Sequence, residues 1–381
     1  MKNDLLRKAG ILLLLLLGLT ACGGEKMEQT VQNSGVLWED LTFVRSTELE
    51  YAEKFSIDHT AEGYALINIL DEGDFLIVPE GQTVPAGVPE EITVLQQPLE
   101  NIYLTATSAM DYFCAMDGLD ALRFSGTKAD GWFIEEAREA MEQSDILFAG
   151  KYSAPDYEQI VDQGCDLAIE STMIYHTPEV KENLESFGIP VLVDRSSYEP
   201  HPLGRTEWVK LYGVLLGKEA QAEELMAEQS AILDVLAEGE NTGKKVGFFY
   251  VSSRGYVNVR KSGDYVSRMI ELAGGKYLFD DLGGDDSALS TMNMQMEEFY
   301  AAAREADILI YNSTIDGELA SLEMLLEKCP LLAHCKAVQE GSVWCTTQNM
   351  FQETMSLGDM IGDFSAVIHG EAVQGYLYPL R

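Results

Sequence analysis

The side chains that could do chemistry in this chain follow the ends of predicted strands. They carry hydroxyl, aromatic, sulfur, imidazole and guanidinium groups, which suit contact with a small molecule: Ser108, Met110, Tyr112, Trp132, Tyr152, Thr172, Tyr175, His176, Tyr198, Arg205, Arg254, Tyr256, Arg260 and Asn312. The sequence has no G-x-S-x-G elbow, no G-x-x-x-x-G-K phosphate loop and no H-E-x-x-H zinc motif. These residues therefore predict a ligand-binding site with no catalytic residues and no metal ligands of its own, and an enzyme is the minority alternative.

Cys22 is the second chemical feature, because of where it stands. The first eight residues include three basic ones, and an apolar run over 11–17 is too short to span a bilayer, which is typical of a secretory signal. The sequence Leu-Thr-Ala-Cys that ends at Cys22 resembles the lipobox of bacterial lipoproteins. We expect a signal peptide over 1–21 and a lipidated Cys22 that holds the chain on the outer face of the cytoplasmic membrane. An ordinary signal peptide with an incidental cysteine is the alternative.

Composition limits the partners and the number of domains. The chain has 381 residues and a formal net charge of −37, so it should repel nucleic acid and anionic lipid headgroups. A chain of this length suits two domains or lobes.

The remaining cysteines leave one question open. Five lie beyond Cys22, and an odd number in an exported protein leaves at least one thiol without an intramolecular partner. A bridge between Cys329 and Cys335, or between Cys335 and Cys345, is compatible with the sequence. With His334 these residues match no familiar zinc spacing, so we expect no metal there.

Short apolar runs alternate with amphipathic stretches through most of the chain. Strands are predicted at 102–107, 146–149, 167–170, 191–194, 246–251, 308–311 and 343–346. Helices are predicted at 133–143, 156–163, 179–187, 265–273 and 296–305. This alternation predicts an α/β protein whose parallel sheets are covered by helices.

The organisation has five parts. After the signal peptide, a lipidated tether is predicted over 22–41, an N-terminal α/β lobe over 42–202, a helical connector over 203–240 and a C-terminal α/β lobe over 241–381. The connector contains a stretch without Gly or Pro, 218–236, that reads as one stiff helix. The segment 42–98 contains a predicted β-hairpin, 64–69 with 75–78, and its role is open.

A repeated unit connects the two lobes. Glu158 stands at a predicted helix start and is followed by a strand that exits into Ser171 and Thr172; Glu297 is followed by a strand that exits into Ser313 and Thr314. Ligands of open α/β sheets gather at the carboxyl ends of the strands. Two such lobes facing each other would line a cleft from both sides.

These features together resemble the class III periplasmic binding proteins for iron complexes, siderophores and cobalamin, over about 95–370. The run from His201 to Glu219 is similar to the start of the inter-lobe helices of that class. The resemblance implies a monomeric, lipid-anchored substrate-binding protein of an ABC importer, with a permease and its ATPase as partners and no cofactor of its own. It also implies that Glu158 and Glu297 dock onto permease arginines; a Glu that only offsets the helix dipole is the alternative.

The sequence indicates the class of binding protein more clearly than it indicates the ligand. Arginines and aromatic residues suit an anionic ferric siderophore. A corrinoid such as cobalamin remains an alternative, and so does heme, with Met110, Met173, His176 or His201 as an axial ligand. A membrane-tethered ligand sensor or a chelatase-like enzyme would share the fold. Because a long helix resists bending, we expect only small lobe movements on binding.

Overall fold

The computed structural model describes residues 35–283 and 291–381. The signal peptide, Cys22 and the first part of the tether lie outside the described residues. From Val36 to Arg381 the chain forms one compact unit. Among the helices of the described ranges, none is both long and apolar enough for a bilayer crossing.

A five-stranded sheet precedes the first lobe. Its strands, in spatial order, are β1 (Phe43–Ser46), β2 (Phe55–Thr60), β3 (Ala65–Ile69), β4 (Gly73–Val78) and β5 (Ile92–Gln96). The pairs are antiparallel except β4 with β5, so the predicted hairpin is confirmed as β3–β4. Leu37 bridges to Ala86, and Trp38 packs against buried residues of this sheet. The last residues of the predicted tether are therefore held on the fold by apolar contact.

The next sheet is parallel throughout. Its strands are β6 (Ile102–Leu104), β7 (Leu122–Ser125), β8 (Leu147–Phe148), β11 (Leu167–Ser171) and β12 (Val191–Asp194), in the spatial order β12-β11-β6-β7-β8. A small antiparallel pair, β9 (Gly150–Lys151) and β10 (Ala154–Pro155), follows β8. The accompanying helices are α1 (Met110–Ala115), α2 (Glu135–Glu142), α3 (Tyr157–Asp162) and α4 (Pro178–Ser186).

Helices alone join this sheet to the last one. They are α5 (Pro202–Glu207), α6 (Val209–Leu216) and α7 (Glu219–Ala237). The helix predicted at 218–236 is confirmed as α7; α6 and α7 lie within the range predicted for the connector, 203–240, whereas α5 begins one residue before it. Gly217 ends α6 in the left-handed conformation (φ +65°), which glycine adopts without strain.

The last sheet is mixed. It comprises β13 (Lys245–Val251), β14 (Val257–Arg260), β15 (Lys276–Tyr277), β16 (Thr291–Met294), β17 (Ile308–Tyr311), β18 (Val343–Thr346) and β19 (Leu377–Pro379). Strands β13, β17 and β18 run parallel, whereas β14, β16 and β19 pair antiparallel. Its helices are α8 (Tyr265–Leu272), α9 (Met296–Ala303), α10 (Leu322–Lys328), α11 (Lys336–Gln339) and α12 (Leu357–His369).

The largest of the three hydrophobic clusters in the described residues runs through the whole unit. A single cluster of buried side chains includes Ile67 of the first sheet, Ile102 of the second, Trp208 of the connector and Ile310 of the last sheet. The lobes are thus packed through the connector helices, which fixes where their strand ends lie.

Candidate ligand cleft

Loops that follow strands of the two lobes meet at a polar seam. After β7, the Gly131 carbonyl accepts from Gln352 Nε2 at 2.9 Å and the Phe133 N–H donates to Gln352 Oε1 at 2.8 Å. After β6, the Ser108 carbonyl accepts from Thr354 Oγ1 at 2.9 Å. Gln352 and Thr354 follow β18. The carboxyl ends of the parallel strands in both lobes therefore open toward each other, where α/β sheets bind ligands.

Most of the predicted contact residues keep exposed surface at these strand ends. In the first lobe Thr172 and Tyr175 follow β11, Tyr198 follows β12, and in the second lobe Tyr256 lies between β13 and β14. The predicted residues that are exposed or half-buried are Ser108, Tyr152, Thr172, Tyr175, His176, Tyr198, Arg254, Tyr256 and Arg260. These side chains therefore keep surface that is open to solvent.

The other predicted contacts are buried, which corrects the expectation for them. Met110 and Tyr112 have no exposed surface, because α1 starts at Met110 and turns both side chains into the core. The Tyr112 hydroxyl donates to the Arg205 carbonyl at 2.6 Å. Trp132 is also in the core and donates from Nε1 to Ser125 Oγ at 3.3 Å. Asn312 is buried, and its Oδ1 accepts from Thr314.

Arg205 is buried for a different reason. Its guanidinium lies over the ring of Tyr265, 4.1 Å from the centroid, and the residue is 6 % exposed. Within the described ranges no carboxylate lies within 4.0 Å of it and its Nε has no hydrogen-bond partner. Burial lowers the pKa of Arg205, but the neighbouring hydroxyl groups of Tyr265 and Tyr112 and the carboxyl groups of Asp264 and Asp194 keep it raised above its ordinary value. A guanidinium without a direct anionic partner is costly in such a place.

Arg260 lies beside the second ring of an aromatic pair formed by Tyr265 and Phe351. It pairs with Asp264 at 3.5 Å and stacks over the ring of Phe351 at 4.9 Å, and Phe351 meets Tyr265 edge-on. Its side chain is 12 % exposed, so Arg260 does not lie on a solvated strand edge. Sequence reasoning missed Tyr265, which starts α8, and Phe351, which ends a short turn over 348–351, because neither residue belongs to a motif.

Two carboxyl groups near the strand ends are buried. Glu170 in β11 accepts from Thr105 Oγ1, its second oxygen has no partner in the described residues, and burial raises its pKa to about 7. Asp111 accepts the Met355 N–H at 2.6 Å across the seam, and burial raises its pKa to about 7 as well. Both groups hold protons at a pH where surface carboxylates are ionised.

Two of the four residues named above as possible axial ligands of heme are buried or already make other contacts. Met110 is in the core, and His201 accepts the Leu203 N–H at 3.2 Å and stacks on Tyr51. Burial lowers the pKa of His201 to about 4. Met173 and His176 are exposed. Among residues 35–283 and 291–381, no three His, Cys, Asp or Glu side chains come together as a metal site.

The five described cysteines are free thiols, so neither bridge that the sequence allowed is formed. Cys329, Cys335 and Cys345 are buried, and burial raises the pKa of each. They are small core residues here.

The repeated unit is present in both lobes. Glu158 is exposed in the first turn of α3, which precedes β11, and Glu297 is exposed in the first turn of α9, which precedes β17. Glu298 is exposed beside Glu297. The two helices therefore present carboxylates at corresponding places in the two lobes.

The comparison with known families decides the class. A family model described as "Periplasmic binding protein" matches residues 128–350, more than half of the chain. The chain belongs to the periplasmic binding protein family. Members of such a family are binding proteins, and the fold is the class III type, with two α/β lobes joined by helices.

Solved periplasmic binding proteins share this fold. A periplasmic heme binding protein from Pseudomonas aeruginosa is 17 % identical, with a TM-score of 0.58 over 74 % of this chain and 98 % of its own. The catecholate-siderophore binding protein of Vibrio cholerae is 14 % identical, with a TM-score of 0.56 over 71 % of this chain and 95 % of its own. At these identities the likeness establishes the fold.

A relative by sequence is an uncharacterized lipoprotein of Methanocaldococcus jannaschii. It is 24 % identical over 318 residues, which cover 79 % of this chain and 73 % of the relative. This periplasmic binding protein is thus similar over most of its length to a chain named as a lipoprotein.

Proposed function

We propose that this protein is an extracytoplasmic substrate-binding protein, lipid-anchored through Cys22, that captures an iron complex and delivers it to an ABC importer. One observation supports this most: strand ends of both lobes meet at the seam formed by Gly131, Phe133 and Gln352. A cleft with two walls suits capture and release of a whole complex. The fold alone does not choose the ligand.

The cleft residues favour an anionic complex with aromatic or conjugated groups. Arg205 lacks a direct anionic partner, and Arg260 has one carboxylate, Asp264, at the long distance of 3.5 Å. Of the two, Arg260 keeps exposed surface beside Phe351 and can offer a cation–π and a charge-assisted contact, whereas Arg205 is buried and adds only its positive charge nearby. A ferric siderophore fits this chemistry, and one structural neighbour is named for catecholate siderophores.

Heme is the second candidate, and a specific observation favours it. Met173 and His176 are both exposed on the short turn 172–176 that follows β11. Either could bind iron axially in a porphyrin, and another neighbour is named for heme. A corrinoid stays a third member of the same ligand class.

Native mass spectrometry with visible absorbance tests the proposal. The purified protein is mixed in turn with a ferric tris-catecholate, a ferric hydroxamate, hemin and cobalamin. We expect a 1:1 complex with one of them, with an absorbance band shifted from that of the free compound. A protein that binds none of the four at micromolar concentration contradicts the proposed function.

We also propose that Glu158 and Glu297 contact arginines of the permease, one from each lobe. Both are exposed in first helical turns, where a carboxylate can pair with a guanidinium in a fixed direction. Glu158→Ala and Glu297→Ala should impair uptake while ligand affinity stays as in wild type. Glu182→Ala, on exposed α4, is the control. Full uptake by the double variant would overturn the assignment.

A further inference from the structure

The first sheet is fixed to the connector by two buried carboxylates. Glu207 of α5 accepts the backbone N–H groups of residues 50, 51 and 52 at 2.8–3.1 Å. Glu199 accepts those of residues 53 and 54 at 2.9 Å and also bonds Trp208 Nε1. Both glutamates are almost fully buried. Because charged acceptors form strong hydrogen bonds, this sheet holds a fixed position relative to the helices between the lobes.

From that anchor the turn between β3 and β4 reaches the strand ends of the first lobe. Asp71 pairs with Arg195 at 2.9 Å, and Arg195 also donates to the Leu70 carbonyl. Glu72 pairs with Lys181 at 3.2 Å and accepts from the Tyr175 hydroxyl. The turn therefore bonds the loops after both β11 and β12.

The backbone of this turn is strained. Asp71 has a φ of +64°, a left-handed conformation that costs free energy in a residue other than glycine. Such strain persists where surrounding contacts determine the conformation, and here the contact is the ion pair with Arg195. The turn is therefore held in one conformation beside the loops that follow β11 and β12.

Apolar surface is exposed where the turn meets the lobe. Leu70 is 44 % exposed, and Met173 and Tyr175 are 44 % and 45 % exposed on the short turn after β11. Arg195 lies over the ring of Tyr198, 5.2 Å from its centroid. Polar contacts to Asp71 and Glu72 thus hold Tyr175 and Tyr198 at the rim, while the apolar groups beside them stay open.

We infer that the β3–β4 turn, residues 70–72, is a wall of the ligand cleft that selects complexes by the bulk and apolarity of their periphery. The inference rests on the proposed function. Leu70, Met173 and Tyr175 supply the contact, and Asp71 and Glu72 are positioning residues. The family match spans 128–350, so the β3–β4 turn, unlike Met173 and Tyr175, lies outside the matched segment.

The ligand groups that suit this wall are aromatic or conjugated edges, such as catechol rings or a porphyrin edge. Burying such an edge against exposed apolar side chains gains free energy in proportion to the area removed from water. A compact polar complex would leave the wall untouched. Selection therefore depends on the position of Tyr175, which Glu72 fixes.

The test compares Glu72→Ala with Glu62→Ala, a substitution in the exposed β2–β3 turn of the same sheet. Affinities of the full chain for hemin, a ferric tris-catecholate and a ferric hydroxamate are measured by tryptophan quenching. We expect Glu72→Ala to weaken the tightest aromatic probe about tenfold relative to the hydroxamate. Glu72→Gln, which keeps an acceptor for the Tyr175 hydroxyl, should restore most of the ratio.

If Glu72 had only a structural role, its loss would weaken the binding of all probes equally. The ratio of the affinity for the aromatic probe to the affinity for the hydroxamate is therefore the deciding measurement. Equal changes for every probe, or a Glu72→Ala variant that matches Glu62→Ala, overturn the inference while the proposed function stands. Leu70→Ser is a second variant, which leaves the ion pairs in place and should also lower the ratio. If wild type binds none of the probes, the proposed function fails and the inference with it.

Discussion

At the scale of single residues, burial controls where the protons lie. Glu170 has no exposed surface, one of its oxygens accepts from Thr105 Oγ1, and the other has no partner in the described residues. If Glu170 were ionised it would have no cation beside it, so the folded protein keeps the proton up to a pKa of about 7. An unfolded chain releases it near a pKa of about 4.3.

This difference predicts a pH-dependent stability that Glu170→Gln removes. Between the two pKa values the folded state binds more protons than the unfolded state, so the free energy of unfolding falls as the pH rises. From about pH 5 to about pH 8, the variant should gain about 2.5 kcal/mol relative to wild type. Urea unfolding at each pH measures this. Asp111 titrates in both proteins, so its contribution cancels from the difference between them. The prediction is contradicted if the free energies of unfolding of wild type and variant change in parallel with pH.

Which residues the ligand can reach was only partly predictable. The sequence shows that Met110 and Tyr112 follow a strand, but not that a helix starts at Met110 and turns both into the core. Tyr175 and Tyr256 were placed correctly at exposed strand ends. The aromatic partners of Arg205 and Arg260 were missed because contacts between distant segments leave no local pattern.

At the scale of elements, close packing of helices depends on one glycine. Gly213 of α6 faces Ala222 of α7, and a Cβ added there would lie 2.7 Å from the Ala222 Cβ. Neither backbone can separate without loss of core contacts. The α6–α7 pair therefore requires glycine at this position.

Gly213→Ala should lower the free energy of unfolding by about 2 kcal/mol, because the added methyl group overpacks the interface. Gly362→Ala in α12 is the matched control, since nothing lies within 4 Å of its added Cβ. That change should stabilise the protein by up to about 1 kcal/mol through helix propensity. Urea denaturation measures both, and equal effects would refute the packing argument.

Elements with uninterrupted apolar runs were the predictable ones. The strands at 191–194, 308–311 and 343–346 agree residue for residue with β12, β17 and β18. Strands β14 and β16 were missed because polar residues alternate with apolar ones in them, so neither contains an uninterrupted apolar run. Asn258 of β14, for example, is half-exposed. They make the last sheet mixed, where the alternation of strands and helices predicted a parallel one.

At the scale of the whole molecule, the connector limits motion. α7 is a single helix of 19 residues, and α5 to α7 pack within the core shared by both lobes. Bending such a connection would break helical hydrogen bonds and core contacts. The cleft should therefore be largely formed before the ligand arrives.

Small-angle scattering of the protein with and without its ligand checks this rigidity. We expect the radius of gyration to change by less than the error of the measurement, because the lobes cannot close widely around α7. A large decrease on binding would show that the connector bends, as in loop-hinged binding proteins.

The central claim is that the ligand binds between the lobes, and hydrogen–deuterium exchange with and without the bound complex tests it most directly. Backbone amides at 172–176 in the first lobe and at 252–256 and 312–314 in the second should exchange more slowly with ligand, because contacts suppress local opening on both walls. The exposed turn at 61–63 serves as an internal control. Protection confined to one lobe, or absent from all three segments, would contradict capture in the inter-lobe cleft.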